Sequence, residues 1–132
     1  MIDVVEKVVD FLDAESNGLD AGVNLFSAPE LSGNGVPKEA VFVQNAAGTA
    51  PRRTMADKLN VRTALVDIYV RSNNHLSGRQ LALSIINSFT GQTPTDLEDA
   101  ISADSEPDYL GRNDAGNDRW LVVIQAKYAV QI

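Results

Sequence analysis

The residues best suited to chemistry are crowded into one run, Y-L-G-R-N-D-A-G-N-D-R-W, Tyr109 to Trp120. Clustered Asn, Asp and Gly offer the oxygen ligands and tight backbone that calcium loops and phosphate cradles require. Their spacing does not make a cation loop. Counted from Asn113, an EF-hand would have Ala115 at its third position and Gly116 at its fourth instead of its sixth. Ile124 would replace the bidentate glutamate. A nonapeptide calcium repeat matches only at G-N-D, and only once. The same residues suit a hairpin connection, because Asn, Asp and Gly tolerate left-handed backbone angles and lie between two strand-like runs. With Arg112 opposite Arg119, such a hairpin pairs Tyr109 with Val122 and Gly111 with Trp120, the indole covering the glycine.

The other candidates lack a partner set. G-N-G-V-P-K, Gly33 to Lys38, has two glycines of a nucleotide loop but no third, and Pro37 with a following strand stands where a phosphate-binding helix would begin. His75 is the sole histidine. Asp67, Ser72 and Ser77 lie near it in sequence, without the order of a triad or a nucleophile elbow. The carboxylates have no spacing that marks a hydrolytic pair. With no cysteine, a disulfide framework, a thiolate zinc site and a cysteine nucleophile are excluded. The expectation is a protein that is not an enzyme and needs no metal or cofactor.

Charge is more informative. The 132 residues carry a net charge of −7, which disfavours general nucleic-acid binding because phosphate contacts need clustered Lys and Arg. No basic residue occurs between Arg79 and Arg112, while Asp96, Glu98, Asp99, Asp104, Glu106 and Asp108 accumulate. That acidic segment, about 92–108, reads either as a solvated loop or as a surface that repels phosphate or meets a basic partner. Arg52, Arg53, Lys58 and Arg62 surround a long loop at about 45–58. Arginine on a projecting loop suits carboxylate contacts across a protein interface.

These residues need elements to position them. Ile2, Val5, Val8, Val9 and Leu12 have helical spacing, with Asp3 and Glu6 as cap and first turn and Asn17-Gly18 as the stop. A short strand is expected near Val23–Ser27 and a buried one at Glu39–Asn45. Leu59–Ser72 predicts a long strand. Ala64, Val66, Ile68 and Val70 form its apolar face, preceded there by Arg62, and the mixed face through Leu65 and Tyr69 calls for a covering chain or element. A second helix is expected at about Ser77–Phe89, closed by Gly91. The capping-box spacing of Thr95 and Glu98 suggests a further helical turn or two at Asp96–Ile101. Arg119–Ile132 alternates cleanly as the last strand. The whole is one α+β domain, 1–132: a mostly antiparallel sheet of four to five strands with two main helices on one face. Acidic residues interrupt the N-terminal apolar residues, unlike a signal peptide. No apolar run reaches the roughly 20 residues that span a bilayer, so synthesis in the cytoplasm and no membrane partner are expected.

The order of these pieces resembles a known family. An amphipathic helix leads to N-L-F-S-A-P, then to A-V-F-V-Q-N-A-A-G-T-A-P, R-T-A-L-V-D-I-Y-V-R, the helix S-G-R-Q-L-A-L-S-I-I-N-S-F and the closing Y-L-G-R-N-D-A-G-N-D-R-W-L-V-V-I-Q-A-K-Y. This is similar to the tail terminator or tail completion (minor capsid) proteins of long-tailed bacteriophages; the segment Asp96–Asp108 has no match in that pattern. The resemblance implies a structural virion protein at the head-proximal end of the tail. It implies a homo-oligomeric, typically hexameric ring on the tail tube protein, which ends tube growth and offers the surface joining the head-tail connector or stopper. DNA passes through the lumen without sequence-specific binding. Arg52, Arg53, Lys58, Arg62, Leu65 and Tyr69 are the candidate interface residues. A head-completion or stopper protein of the neck and, in another class, a small cytosolic ligand-binding α+β domain are the alternatives.

Overall fold

The computed structural model describes residues 3–15, 18–29, 37–45, 52–53 and 59–131, with 52–53, 59–61 and 130–131 described as backbone alone. The elements are α1 (Val4–Ala14), β1 (Leu25–Phe26), β2 (Ala40–Asn45), β3 (Arg52–Arg53), β4 (Leu59–Ser72), α2 (His75–Ser88), β5 (Asp99–Ser102), β6 (Asp108–Arg112) and β7 (Asp118–Gln131). The fold is α+β, as the patterning predicts. Its sheet is larger than the four to five strands expected, with seven among the described residues, of which β1 and β3 are two residues each. Among the described strands every pairing is antiparallel except β1 with β2, and the isolated bridge Ala21↔Leu25 is parallel as well.

The sheet is built on two long strands. β4 and β7 pair without interruption from Leu59↔Gln131 to Ser72↔Asp118, and shorter strands lie end to end along their outer edges. On β4, β2 pairs with Val66–Arg71 and β3 with Asn60–Val61. On β7, β6 pairs with Asp118–Leu121 and β5 with Ile124–Lys127. The alternation of β-branched residues fixes this register, since a one-residue slip would turn every core side chain to the other face.

Both helices cover the same face. Asp3 caps α1, its carboxylate accepting the Glu6 N–H at 3.2 Å, and Val4, Val8, Val9 and Leu12 are buried. The expected first apolar position, Ile2, and the stop residue Asn17 lie outside the described residues; Gly18 follows with φ +79°. The second helix starts two residues before the expected Ser77, because the side chain of Asn74 accepts the Ser77 N–H at 3.0 Å and sets the cap there. Ala82, Ile85 and Ile86 turn inward, and Phe89 meets Phe11 at 4.9 Å between ring centroids. They join Val41, Val43, Val66, Ile68, Val70, Trp120, Val122, Ile124 and Ala126 in one core. Each fully buried Val or Ile there contributes about 1.5–3 kcal/mol relative to exposure.

Two expectations fail. The capping-box spacing at Thr95 and Glu98 does not start a helix. Leu97 donates to the carbonyl of Pro94, Asp96 takes φ +69°, and Asp99–Ser102 runs as β5. Beside β7 an extended segment satisfies the open ladder, the Glu98 N–H reaching the Lys127 carbonyl at 2.7 Å, and it buries Ala100. The span 45–58 is likewise not all loop: Asn45 ends β2 and Arg52–Arg53 pair as β3, while 46–51 and 54–58 lie outside the described residues.

Candidate interaction surfaces

Alternation along β4 puts Thr63, Leu65, Asp67, Tyr69 and Arg71 on the face away from the helices. Register places Lys127, Gln125, Val123, Leu121 and Arg119 beside them on β7. On β2 the same face presents Phe42 opposite Tyr69. Phe42 is buried without belonging to the main core. Phe26 stacks on it at 5.6 Å, and the guanidinium of Arg71 lies 5.0 Å from its ring centre. That guanidinium is held in turn by donating to the carbonyls of Pro37 at 2.7 Å and Lys38 at 3.2 Å. The rest of the face is only half-covered: Leu65, Tyr69, Leu121 and Val123 are intermediate in exposure, and Ile101 on β5 is exposed. Asp67 lies among them, and burial pushes its carboxyl above the usual range.

The sequence-predicted interface residues divide among three places. Leu65 and Tyr69 share the helix-free face, where the guanidinium of Arg119 lies 5.9 Å from the Tyr69 ring centre. Arg62 is exposed on the opposite side of β4, across from Tyr128. The backbone of Arg52 and Arg53 forms β3, against Val61 and Asn60. Lys58 is outside the described residues.

The run from Tyr109 to Trp120 is a hairpin, in a different register from the one expected. Tyr109 pairs with Trp120, Gly111 with Arg119 and Arg112 with Asp118, with a bulge at Leu110. The cause is the connection, Asn113 to Asn117, closed by its own hydrogen bonds. The side-chain oxygen of Asn113 accepts from the N–H groups of Ala115 and Asn117, the Asn113 N–H donates to the Asn117 carbonyl, and Gly116 takes φ +83°. This closure brings Arg112 level with Asp118, and the bulge then restores the alternation that faces Tyr109 toward Trp120.

Beside it the hairpin assembles a cluster that its turn-like composition concealed. Asp118 is buried, and its carboxylate accepts the Tyr109 hydroxyl at 2.6 Å and the Arg112 guanidinium at 3.2 Å. These two hydrogen bonds, Tyr109 first, hold the Asp118 carboxyl below the usual carboxylate range, while the same carboxylate raises Tyr109 and Arg112. His75 Nδ1 lies 3.6 Å from Asp118, and its ring contacts Tyr109 and Trp120 at 5.1 and 4.9 Å. The nearby serine hydroxyls do not face this histidine as nucleophiles would. Ser72 and Ser77 both donate to Glu39 Oε2, at 2.9 and 2.8 Å. The arrangement fastens the first turn of α2 to the β6–β7 hairpin. Its sequence trace was the alternation of Tyr109, Asp118 and Trp120, legible only once the register is known.

No protein-family model and no curated protein matches the chain. Among solved structures the fold matches a chain of the virion of the native gene transfer agent (GTA) particle. The TM-score is 0.58 with 11% identity, over 93% of this chain and 92% of that one. What the two share, from end to end, is the fold.

Proposed function

We propose that the chain is a structural virion protein without enzymatic activity, forming a ring on the head-proximal end of a phage tail tube. There it stops tube polymerisation and offers the surface that the head connector or stopper joins. The observation that carries this reading is the fold likeness to a virion chain over nearly the whole of both chains. The order of motifs resembling tail terminators supplies the finer role. The half-covered apolar face through Leu65, Tyr69, Leu121 and Val123 supports it further, because a surface of that kind is stabilised by a second protein. A net charge of −7 suits a passage that must not hold DNA.

Deletion of the gene from its phage is the test. Tails of uncontrolled length are the expected result. Tails of normal length that lack heads would assign the chain to head completion instead, as a stopper, and intact virions would reject both roles.

A further inference from the structure

The sheet is longer than the core it supports. Fourteen residues of antiparallel strand extend about 48 Å, whereas the fourteen-residue α2 extends about 21 Å. Burial on the helix side accordingly ends at Val66 and Ala126, with Ala64 and Tyr128 packed at its margin and Arg62 exposed. Beyond that margin, among the described residues, β3, the start of β4 and the end of β7 continue, pairing as a three-stranded ribbon. The charged residues of that ribbon are Arg52, Arg53 and Arg62, with Lys127 at its base, and its described residues include no acid.

The opposite edge of the sheet has the complementary chemistry. β5 and β6 share the free side of β7. Between and within them lie Asp104, Glu106 and Asp108, all exposed, with no basic residue in sequence from Gln80 to Gly111. Arg79 reaches Glu106, at 3.7 Å. Exposed apolar side chains gather on the same edge: Ile101 at 46%, Tyr109 at 46% and Leu110 at 42%. Next to it a groove of about 440 Å³ runs between the end of α2 and β5, lined by Ile86, Phe89, Ile101 and Asp104.

We propose that the basic ribbon of one copy seats on the β5–β6 edge of the next. The ribbon's positive charge, with Arg62 exposed on it, meets Asp104, Glu106 and Asp108, and Ile101 and Leu110 supply the apolar contact. A second copy is the occupant because one chain carries both halves of the charge pair on different edges. Contact between unlike patches is heterologous, and such contacts close into a ring where the rotation from copy to copy closes. The inference rests on the ring reading and adds which surfaces form the ring.

Because the chain has no cysteine, disulfide trapping reports the encounter directly. Arg52→Cys on the ribbon and Ser105→Cys on the acidic edge are purified separately, mixed in equal amounts at low salt and oxidised. Random collision gives mixed dimers at twice the yield of either homodimer. The proposal predicts a further enrichment of about fivefold, which disappears near 1 M salt, where the Debye length is about 3 Å. Adding Arg53→Glu and Arg62→Glu to the ribbon variant removes the enrichment, and Asp104→Lys with Asp108→Lys on the edge variant restores it. A random ratio at low salt overturns the proposal. So does competition by a short DNA duplex that the unreversed ribbon retains and the reversed ribbon does not, which would make nucleic acid the occupant. Tail length is scored separately, so a pairing that forms in a chain that caps no tube rejects the proposed role and leaves the contact standing.

Discussion

At the scale of single residues the most consequential group is Asp118. Its carboxyl is held low by the Tyr109 hydroxyl and the Arg112 guanidinium. Stability from that shift is therefore present above the unfolded aspartate pKa of about 3.9 and lost as pH falls through the lower folded value. Tyr109 is shifted the other way, upward, by the same hydrogen bond. Its contribution is present below the unfolded tyrosine pKa of about 10 and lost as pH rises through the higher folded value. Tyr109→Phe should consequently lower the melting temperature at neutral pH and flatten both limbs of its pH profile, as thermal melts from about pH 2 to about pH 11 would show. Gly78 is a second such residue. A Cβ there would lie 2.9 Å from the Ser72 Cβ and 3.2 Å from the Trp120 Nε1. Overpacking of this kind costs about 1–3 kcal/mol against roughly 1 kcal/mol gained in helix propensity. Gly78→Ala should thus destabilise by about 1 kcal/mol in denaturant titration, although alanine normally favours a helix.

At the scale of elements the two faces of β4 should respond oppositely to substitution. Ile68 is fully buried between the sheet and the helices, and Ile68→Ala should cost about 2–5 kcal/mol in chemical denaturation. Asp67, one residue earlier, points to the half-covered face, where burial raises its carboxyl. A raised aspartate destabilises the folded chain wherever it must be charged, and that cost vanishes as pH falls below its unfolded value. Asp67→Asn should therefore raise the melting temperature at neutral pH, with the gain disappearing below about pH 4. A neutral-pH gain absent in the melts would mean that neighbouring groups solvate this carboxylate. The helix-free face was legible in the sequence, because Leu65 and Tyr69 alternate with Thr63, Asp67 and Arg71. Strand β5 was not. Thr95 and Glu98 carry a local helix-start signal, and the open edge of β7 overrode it by pairing with the backbone of Asp99–Ser102.

At the scale of the whole molecule the sheet separates charge. The ribbon end carries Arg52, Arg53 and Arg62, and the β5–β6 edge carries Asp104, Glu106 and Asp108. A net charge of −7 by itself would make copies repel, and the proposed contact overcomes this by local charge complementarity. Self-association of the unmodified chain should accordingly weaken as salt is raised, measured by sedimentation at increasing ionic strength. An increase with salt would instead point to the apolar face through Leu65 and Val123 as the dominant contact.

The sequence by itself determined the α+β class, the span of β4, the amphipathic faces of both helices and the reading of the Tyr109–Trp120 run as a hairpin connection. Each depends on periodicity or turn chemistry confined to a dozen or so neighbouring residues. Only the tertiary structure decided the pairing of Arg112 with Asp118, the conversion of a capping-box segment into β5 and the ribbon that outruns the core. The first turns on hydrogen bonds within Asn113–Asn117 that composition leaves open; the other two depend on ladder partners remote in sequence and on the mismatch between strand and helix rise, quantities that no local window contains.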